Sequence, residues 1–298
     1  MRADALYAPA VNWPAVTDRA HAIAAQATTA SGTYAAIQYA IRALQGAGDL
    51  HAQFYIAPVW KQLVASTSAK AVPSPPPTVS LVKGRLGSIA LPGIITTQAS
   101  ANSRAYARRA LSRISSLEAK DRPCGWIVDL RDDTGGNMYP MLLSVGPILG
   151  EGNLIGFTGR KGFRYYVAYH HSALSGGGYT DRAPLAVEDI TPAPPVAVLT
   201  SQTTASSGEV VTVAFRGRAQ TRSFGSPTMG ATNGPLPHRL ADGAVLFFAV
   251  DYYVDRDGTV YRNPIEPDVS FAYNTPESVT ERAAEKWLLS TAACSRRP

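Results

Sequence analysis

Between Leu199 and Glu209 the chain reads Leu-Thr-Ser-Gln-Thr-Thr-Ala-Ser-Ser-Gly-Glu, a run of small hydroxyl residues set between two apolar segments. Pro195 to Leu199 reads as a buried strand, and Val210 to Arg216 as an amphipathic helix. A serine at such a turn sits at the positive end of a helix, beside backbone N–H groups that have no partner inside it. Those are the surroundings of an acyl-transfer nucleophile. They suit a plain helix cap equally well, because Ser206 and Glu209 stand in the S-x-x-E relation of a capping box. Gly135-Gly136, following the apolar Trp126–Leu130, invites the same two readings. Consecutive glycines let the backbone take positive φ and approach a reacting carbonyl closely, and they also make ordinary tight turns.

The elements that must position these residues follow from patterning. Trp13 to Ala27 and Thr33 to Leu44 carry apolar residues at helical spacing, and Gly46-Ala47-Gly48-Asp49 ends the second helix. Pro73-Ser74-Pro75-Pro76-Pro77 reads as a stiff linker. We therefore expect an N-terminal helical subdomain over residues 1–70, a Pro-rich linker over 71–84 and an α/β core over 85–298. Within that core, Leu86 to Pro92, Trp126 to Leu130, Phe163 to Tyr169, Pro195 to Leu199, Thr221 to Phe224 and Val245 to Val254 read as strands. Asn102 to Leu117 and Tyr139 to Leu149 read as helices between them. Such alternation predicts an α/β fold with a largely parallel centre and an antiparallel part near the end.

Composition excludes several classes. Charged residues are only 17% of the 298, well below the usual quarter, while 45% are apolar, which argues for a packed globular chain. No apolar run is long enough to span a membrane. The start, Met1-Arg2-Ala3-Asp4, lacks the apolar segment of a signal peptide, so we expect either an intracellular chain or one whose leader has been removed. The net charge of +6 is spread over scattered arginines with no basic run interleaved with aromatics, which gives no nucleic-acid footprint. Cys124 and Cys294 match no metal spacing; they could pair in an oxidising compartment or stay as buried thiols. Neither a metal nor an organic cofactor is implied.

Five segments together resemble the S41 serine peptidases, the group of tail-specific and tricorn-like proteases and their retinoid-binding relatives. They are Gly125 to Gly136, Thr204 to Glu209, Gly225 to Gly230, Leu240 to Gly243 and Pro264 to Asp268, in the family's order over roughly residues 85–272. The resemblance implies a ClpP/crotonase-like α/β core with a mostly parallel sheet. It also implies that Ser206 is the nucleophile, with the N–H groups of Ser207 and Gly135 as oxyanion hole. The bacterial tail-specific members carry a lysine base directly after G-x-x-T-x-G, where this chain has Ala231; no lysine lies between Lys161 and Lys286. A serine hydroxyl needs a base near neutral pH, and histidine is the natural substitute. Of His21, His51, His170, His171 and His238, His51 falls where the tricorn-like branch carries its histidine, behind Asp49. His238 is the runner-up, expected in a loop beside the substrate cleft with Gly136. His170 and His171 adjoin on a strand and so should face opposite ways.

For the acid that would hold the imidazole, no carboxylate stands at the family's place near Tyr261-Arg262-Asn263, and Asp255 is the candidate. Asp129 and Asp268 read as structural. The interval Ala52 to Leu81 is too short for a peptide-binding PDZ domain. Phe163, Tyr165, Tyr252 and Tyr253 are either cleft-lining or core aromatics. The expectation is a serine peptidase acting on a peptide or protein substrate. The alternatives are a ligand-binding protein on the same scaffold, or a peptide cyclase or transpeptidase.

Overall fold

The computed structural model describes residues 1–69, 75–96 and 99–295. The front of the chain forms α1 (Trp13–Ala24), α2 (Tyr34–Gly46), β1 (Gln53–Tyr55) and α3 (Ala57–Ala69). Then come β2 (Thr78–Val82), β3 (Leu86–Ala90), α4 (Ala101–Lys120), β4 (Gly125–Asp129) and α5 (Met138–Leu149). An all-β passage follows, with β5 (Gly152–Gly159), β6 (Gly162–His170), β7 (Ala173–Gly176) and β8 (Tyr179–Arg182). The chain continues through β9 (Val196–Thr200), α6 (Ser207–Ala214), β10 (Thr221–Gly225), β11 (Asn233–Arg239) and β12 (Val245–Val254). It ends with β13 (Val260–Tyr261), β14 (Val269–Ser270), α7 (Glu277–Ser290) and the single turn α8 (Ala292–Ser295).

Two sheets organise these elements. The six-stranded sheet has the order β14-β10-β9-β4-β3-β2, parallel throughout except for β2. Its central strand β9, Val-Ala-Val-Leu-Thr, is buried at every position, as a parallel strand covered on both faces must be. Helices α4, α5 and α6 pack on one face through Ile89, Trp126, Val128 and Val198. Helix α7 packs on the other face against Ile127, Ala197, Leu199 and Phe224. A disulfide between Cys124 and Cys294 fastens the end of the chain to the start of β4.

The second sheet departs from expectation. Its path is β1-β12-β5-β6-β7-β8, with β11 and β13 also paired to β12, and every pairing is antiparallel. The mostly parallel sheet is thus only one half of the β-structure. The reason is connection length. Strands β5 to β8 are joined by pairs of residues, Arg160-Lys161, His171-Ser172 and Gly177-Gly178. Parallel neighbours need a crossover of a dozen residues or more.

The front of the chain is built into this antiparallel sheet. Strand β1 pairs with Val245–Phe247 of β12, and Ala5, Ala8, Ile41 and Leu44 share one apolar cluster with Leu246, Phe248 and Val250. Of the expected linker, residues 71–74 lie outside the described residues, and Thr78–Val82 is the edge strand β2.

Candidate active site

Ser206 caps α6 with φ 51° and ψ −111°, a conformation costly for a residue with a Cβ, by about 1–3 kcal/mol. The surroundings hold it there. The Thr204 hydroxyl donates to Leu130 O at 2.8 Å, Ala205 N–H to Asp133 O at 2.9 Å and Met229 N–H to Thr204 O at 2.9 Å. The Ser206 N–H itself donates to Glu209 Oε2 at 2.8 Å. Glu209 is fully buried and also accepts from the Thr228 hydroxyl at 2.5 Å and Gly230 N–H at 2.8 Å, which ties the turn to the Gly225–Gly230 segment. The capping relation and the strained turn therefore coexist: Glu209 bonds the serine's backbone and leaves its hydroxyl pointing elsewhere.

That hydroxyl meets His51. Ser206 Oγ lies 3.1 Å from His51 Nε2, across 155 residues of sequence. His51 sits just before β1, where Asp49 fixes the backbone: its Oδ1 accepts His51 N–H at 2.9 Å and its Oδ2 accepts Ala249 N–H of β12 at 3.0 Å. Burial pushes the His51 pKa below its ordinary 6.5, against the opposing pull of Asn233 and Asp49. The ring is thereby kept neutral and proton-accepting.

The other ring nitrogen, Nδ1, lies 2.6 Å from Asn233 Oδ1, at the start of β11. An amide oxygen only accepts, so Nδ1 carries the proton of the neutral ring and Nε2 is left to accept from Ser206. Asn233 therefore stands where a carboxylate was expected. Asp255 is engaged elsewhere: it closes the β12–β13 turn, accepting from Asp257 N–H, Thr259 N–H and the Tyr261 hydroxyl at 2.9–3.0 Å. The missing signal was chemical. A search confined to carboxylates passes over an amide, and nothing in the spacing marks Asn233.

Around the serine, the Ser207 N–H opens α6 and has no partner within the helix. The Gly135 N–H does not stand free beside it. It donates to Asp133 Oδ1 at 2.9 Å in an Asx turn. Gly135 nevertheless packs directly on the Ser206 turn with φ 96°; a Cβ there would come within 2.9 Å of Ser206 Cβ. The Gly136 N–H has no acceptor among the described residues, while Gly136 O accepts the Ser207 hydroxyl at 2.7 Å. Burial raises the Asp133 pKa to about 7, and its second oxygen has no partner. The buried Tyr253 hydroxyl also interacts with Ser206, and burial keeps that phenol protonated.

The remaining candidates lie apart. His238 is on β11, stacked parallel on Phe248 with ring centroids 4.2 Å apart. It lines a cavity of about 440 Å³ with Arg160, Arg164 and Asp251, and neither Ser206 nor His51 borders that cavity. His170 and His171 both lie 3.3 Å from Glu151. The strand alternation fails because His171 has already left β6 with φ 48°. Asp129 pairs with Arg131 at 2.6 Å, and Asp268 accepts from Ser223 and Arg216, both in the structural parts their sequence suggested.

The family model of peptidase family S41 matches residues 85–271, a span that holds Ser206, Asn233 and the Gly135-Gly136 turn. The chain belongs to peptidase family S41. This S41 chain is 31% identical over 156 residues to the nisin-resistance protein of Lactococcus lactis subsp. lactis. That match covers 52% of this chain and 48% of the relative, so the chain matches about half the length of that relative. Among solved structures it is similar to a lipoprotein from Streptococcus agalactiae, with a TM-score of 0.73 at 23% identity, covering 97% of this chain and 92% of that one. It is also similar to a photosystem II D1 C-terminal processing protease, with a TM-score of 0.50 at 21% identity and coverage of 74% and 54%. These structural likenesses establish the shared fold of the S41 chain.

Proposed function

We propose that this S41 chain is a serine peptidase with Ser206 as nucleophile, His51 as general base and Asn233 as the residue that orients the imidazole. The observation that carries the reading is the 3.1 Å approach of Ser206 Oγ to a buried His51 Nε2 whose other nitrogen is held at 2.6 Å. As Oγ attacks the peptide carbonyl carbon, its proton passes to Nε2, and the imidazolium keeps its Nδ1–H bond to Asn233. The carbonyl oxygen becomes an oxyanion, for which the Ser207 and Gly136 N–H groups are the proposed donors. In this scheme Gly136 takes the part that sequence reasoning gave to Gly135, whose N–H is committed to Asp133. Collapse of the tetrahedral adduct breaks the C–N bond, and His51 returns its proton to the leaving amine. Water then attacks the acyl-enzyme with His51 again as base, releasing the acid and regenerating the Ser206 hydroxyl.

The substrate class is a peptide. Because one relative is a nisin-resistance protein, nisin is the first peptide to test. The Cys124–Cys294 disulfide favours an oxidising compartment outside the cytoplasm. The front, residues 1–70, contributes the base and therefore belongs functionally to the catalytic core. A fluorophosphonate should add to the wild type once, on Ser206, by intact and peptide mass, and fail with Ser206→Ala. Peptide products whose summed mass exceeds the substrate by one water indicate hydrolysis, and a product lighter by the leaving amine and joined to a second amine indicates transfer. An unlabelled, folded wild type would overturn the scheme in favour of ligand binding.

A further inference from the structure

Two consecutive glycines beside Ser206 leave the backbone of one proposed oxyanion donor free to turn. Gly135 and Gly136 hold φ 96° and 117°, and without Cβ atoms the peptides on either side of Gly136 rotate about soft torsions. The Gly136 N–H stabilises an oxyanion only while it faces the reacting carbonyl. A half-turn of its peptide would present the Gly135 oxygen there instead, and oxygen repels an oxyanion. Both peptides must therefore be held.

The first is held from the stretch that follows β3, where Ile94 bridges Gly136 in parallel. Ile94 N–H donates to Gly135 O at 3.0 Å. In a trans peptide the C=O and N–H point opposite ways, so this bond turns the Gly136 N–H away from Ile94. The second peptide is held at both ends. Asn137 N–H donates to Ile94 O at 2.7 Å, and Gly136 O accepts the Ser207 hydroxyl at 2.7 Å. The sense of that last bond is fixed, because a carbonyl oxygen only accepts and the hydroxyl must donate. Ser207 is 6% exposed and opens α6, a helix buried along its whole length, so the hydroxyl rests on a rigid element. On the opposite side the fit is equally close, since a Cβ on Gly136 would come within 2.1 Å of Ile94 O. Ser207 thus serves both proposed donors: its own N–H is one, and its hydroxyl holds the residue that carries the other.

We propose that the Ser207 hydroxyl is a positioning group for the oxyanion site: by donating to Gly136 O it ties Gly136 to the start of α6 and fixes the spacing between the Ser207 and Gly136 N–H groups. This rests on the reading of Ser206 as nucleophile and of those two N–H groups as oxyanion donors.

The test is Ser207→Ala, which removes the hydroxyl and keeps the backbone N–H at the helix start. Losing an oxyanion donor outright costs about 10²–10³ in kcat. Removing one neutral hydrogen bond that holds such a donor predicts a fall of about two- to tenfold, with KM unchanged. A peptide aldehyde adds the Ser206 Oγ–H across its carbonyl as a hemiacetal and sets its oxygen at the same donors, so it should bind more weakly by the same factor. A hydroxyl with a structural part alone would lower the melting temperature and leave the aldehyde affinity of the folded variant unchanged. Ser207→Cys substitutes a weak donor and should fall between wild type and Ser207→Ala in both measurements. Wild-type kcat and aldehyde affinity in folded Ser207→Ala would overturn the proposal, as would a loss of kcat with the aldehyde affinity unchanged. Should Ser207→Ala fail to fold, Ser207→Cys decides, and wild-type values in both measurements overturn the proposal. Hydrolysis persisting in Ser206→Ala would overturn both this inference and the reading beneath it, whereas inactive Ser206→Ala and His51→Ala beside a normal Ser207→Ala would overturn this inference alone.

Discussion

Replacing Asn233 by aspartate converts a neutral orienting amide into a carboxylate 2.6 Å from His51 Nδ1. In the wild type the ring is buried and its pKa lies below 6.5, so the base is neutral and kcat/KM should hold until the pH falls below that value. A unit negative charge centred about 4 Å from the imidazolium charge contributes about 4 kcal/mol at an effective dielectric of 20. At 1.36 kcal/mol per pKa unit this corresponds to about 3 units, part of which is offset by desolvating the new carboxylate. The acid limb of kcat/KM should therefore move upward by about 1–3 units. The sign follows from the base working deprotonated: Asn233→Asp should lose activity at pH 6 and recover it above pH 8. The assay is hydrolysis of a fluorogenic peptide from pH 4.5 to 9.5, with melting curves to show that the fold is kept. An acid limb that stays in place would show that residue 233 does not face the nitrogen of the titrating base, and the proposed triad would fall with it.

Two further outcomes follow from the same structure. Ser206→Gly and Ser206→Ala should both be inactive, but the glycine variant should melt higher. It removes the Cβ from a residue at φ 51° and relieves strain of about 1 kcal/mol, net of glycine's entropy; equal melting temperatures would refute the strained turn. Reduction of Cys124–Cys294, which closes a loop of 170 residues, should lower stability by up to about 5 kcal/mol in urea unfolding. It should leave kcat unchanged at 25 °C, because the bond lies behind the parallel sheet, and a loss of kcat in the folded reduced form would contradict that placement.

How much of this was legible in the sequence depends on how local each feature is. The strand–turn–helix passage around Ser206 was readable because a five-residue apolar strand, small hydroxyl residues and a helix start lie within twenty positions. His51 was singled out by the resemblance to the tricorn-like branch and by the missing lysine, and not by its immediate neighbours; Asp49 beside it accepts the His51 backbone N–H. Asn233 was not, since its meaning arises only when β11 places it against a ring 182 residues away. The commitment of the Gly135 N–H to Asp133 was legible in principle, because Asp-Thr-Gly is the spacing of an Asx turn, yet attention to the glycines alone concealed it. The antiparallel part expected near the end is there in β11 to β13, but its extension through β5 to β8 was missed, because the turn pairs between those strands were not weighed against the length a parallel crossover requires. The pairing of Cys124 with Cys294 could not be read from separation alone.

Ala249 marks a gap in β12, between the residues paired to β1 and those paired to β5, where Asp49 and Leu6 bind the free backbone. The proposed base and its helpers thus ride on one sheet, and the proposed nucleophile hangs from the other. Proton transfer crosses the seam between two rigid plates. A slip of about 1 Å along that seam would carry the 3.1 Å contact beyond bonding range. A peptide lying across both plates would clamp them in register, so that substrate length, and not only the residues flanking the cleaved bond, would govern turnover.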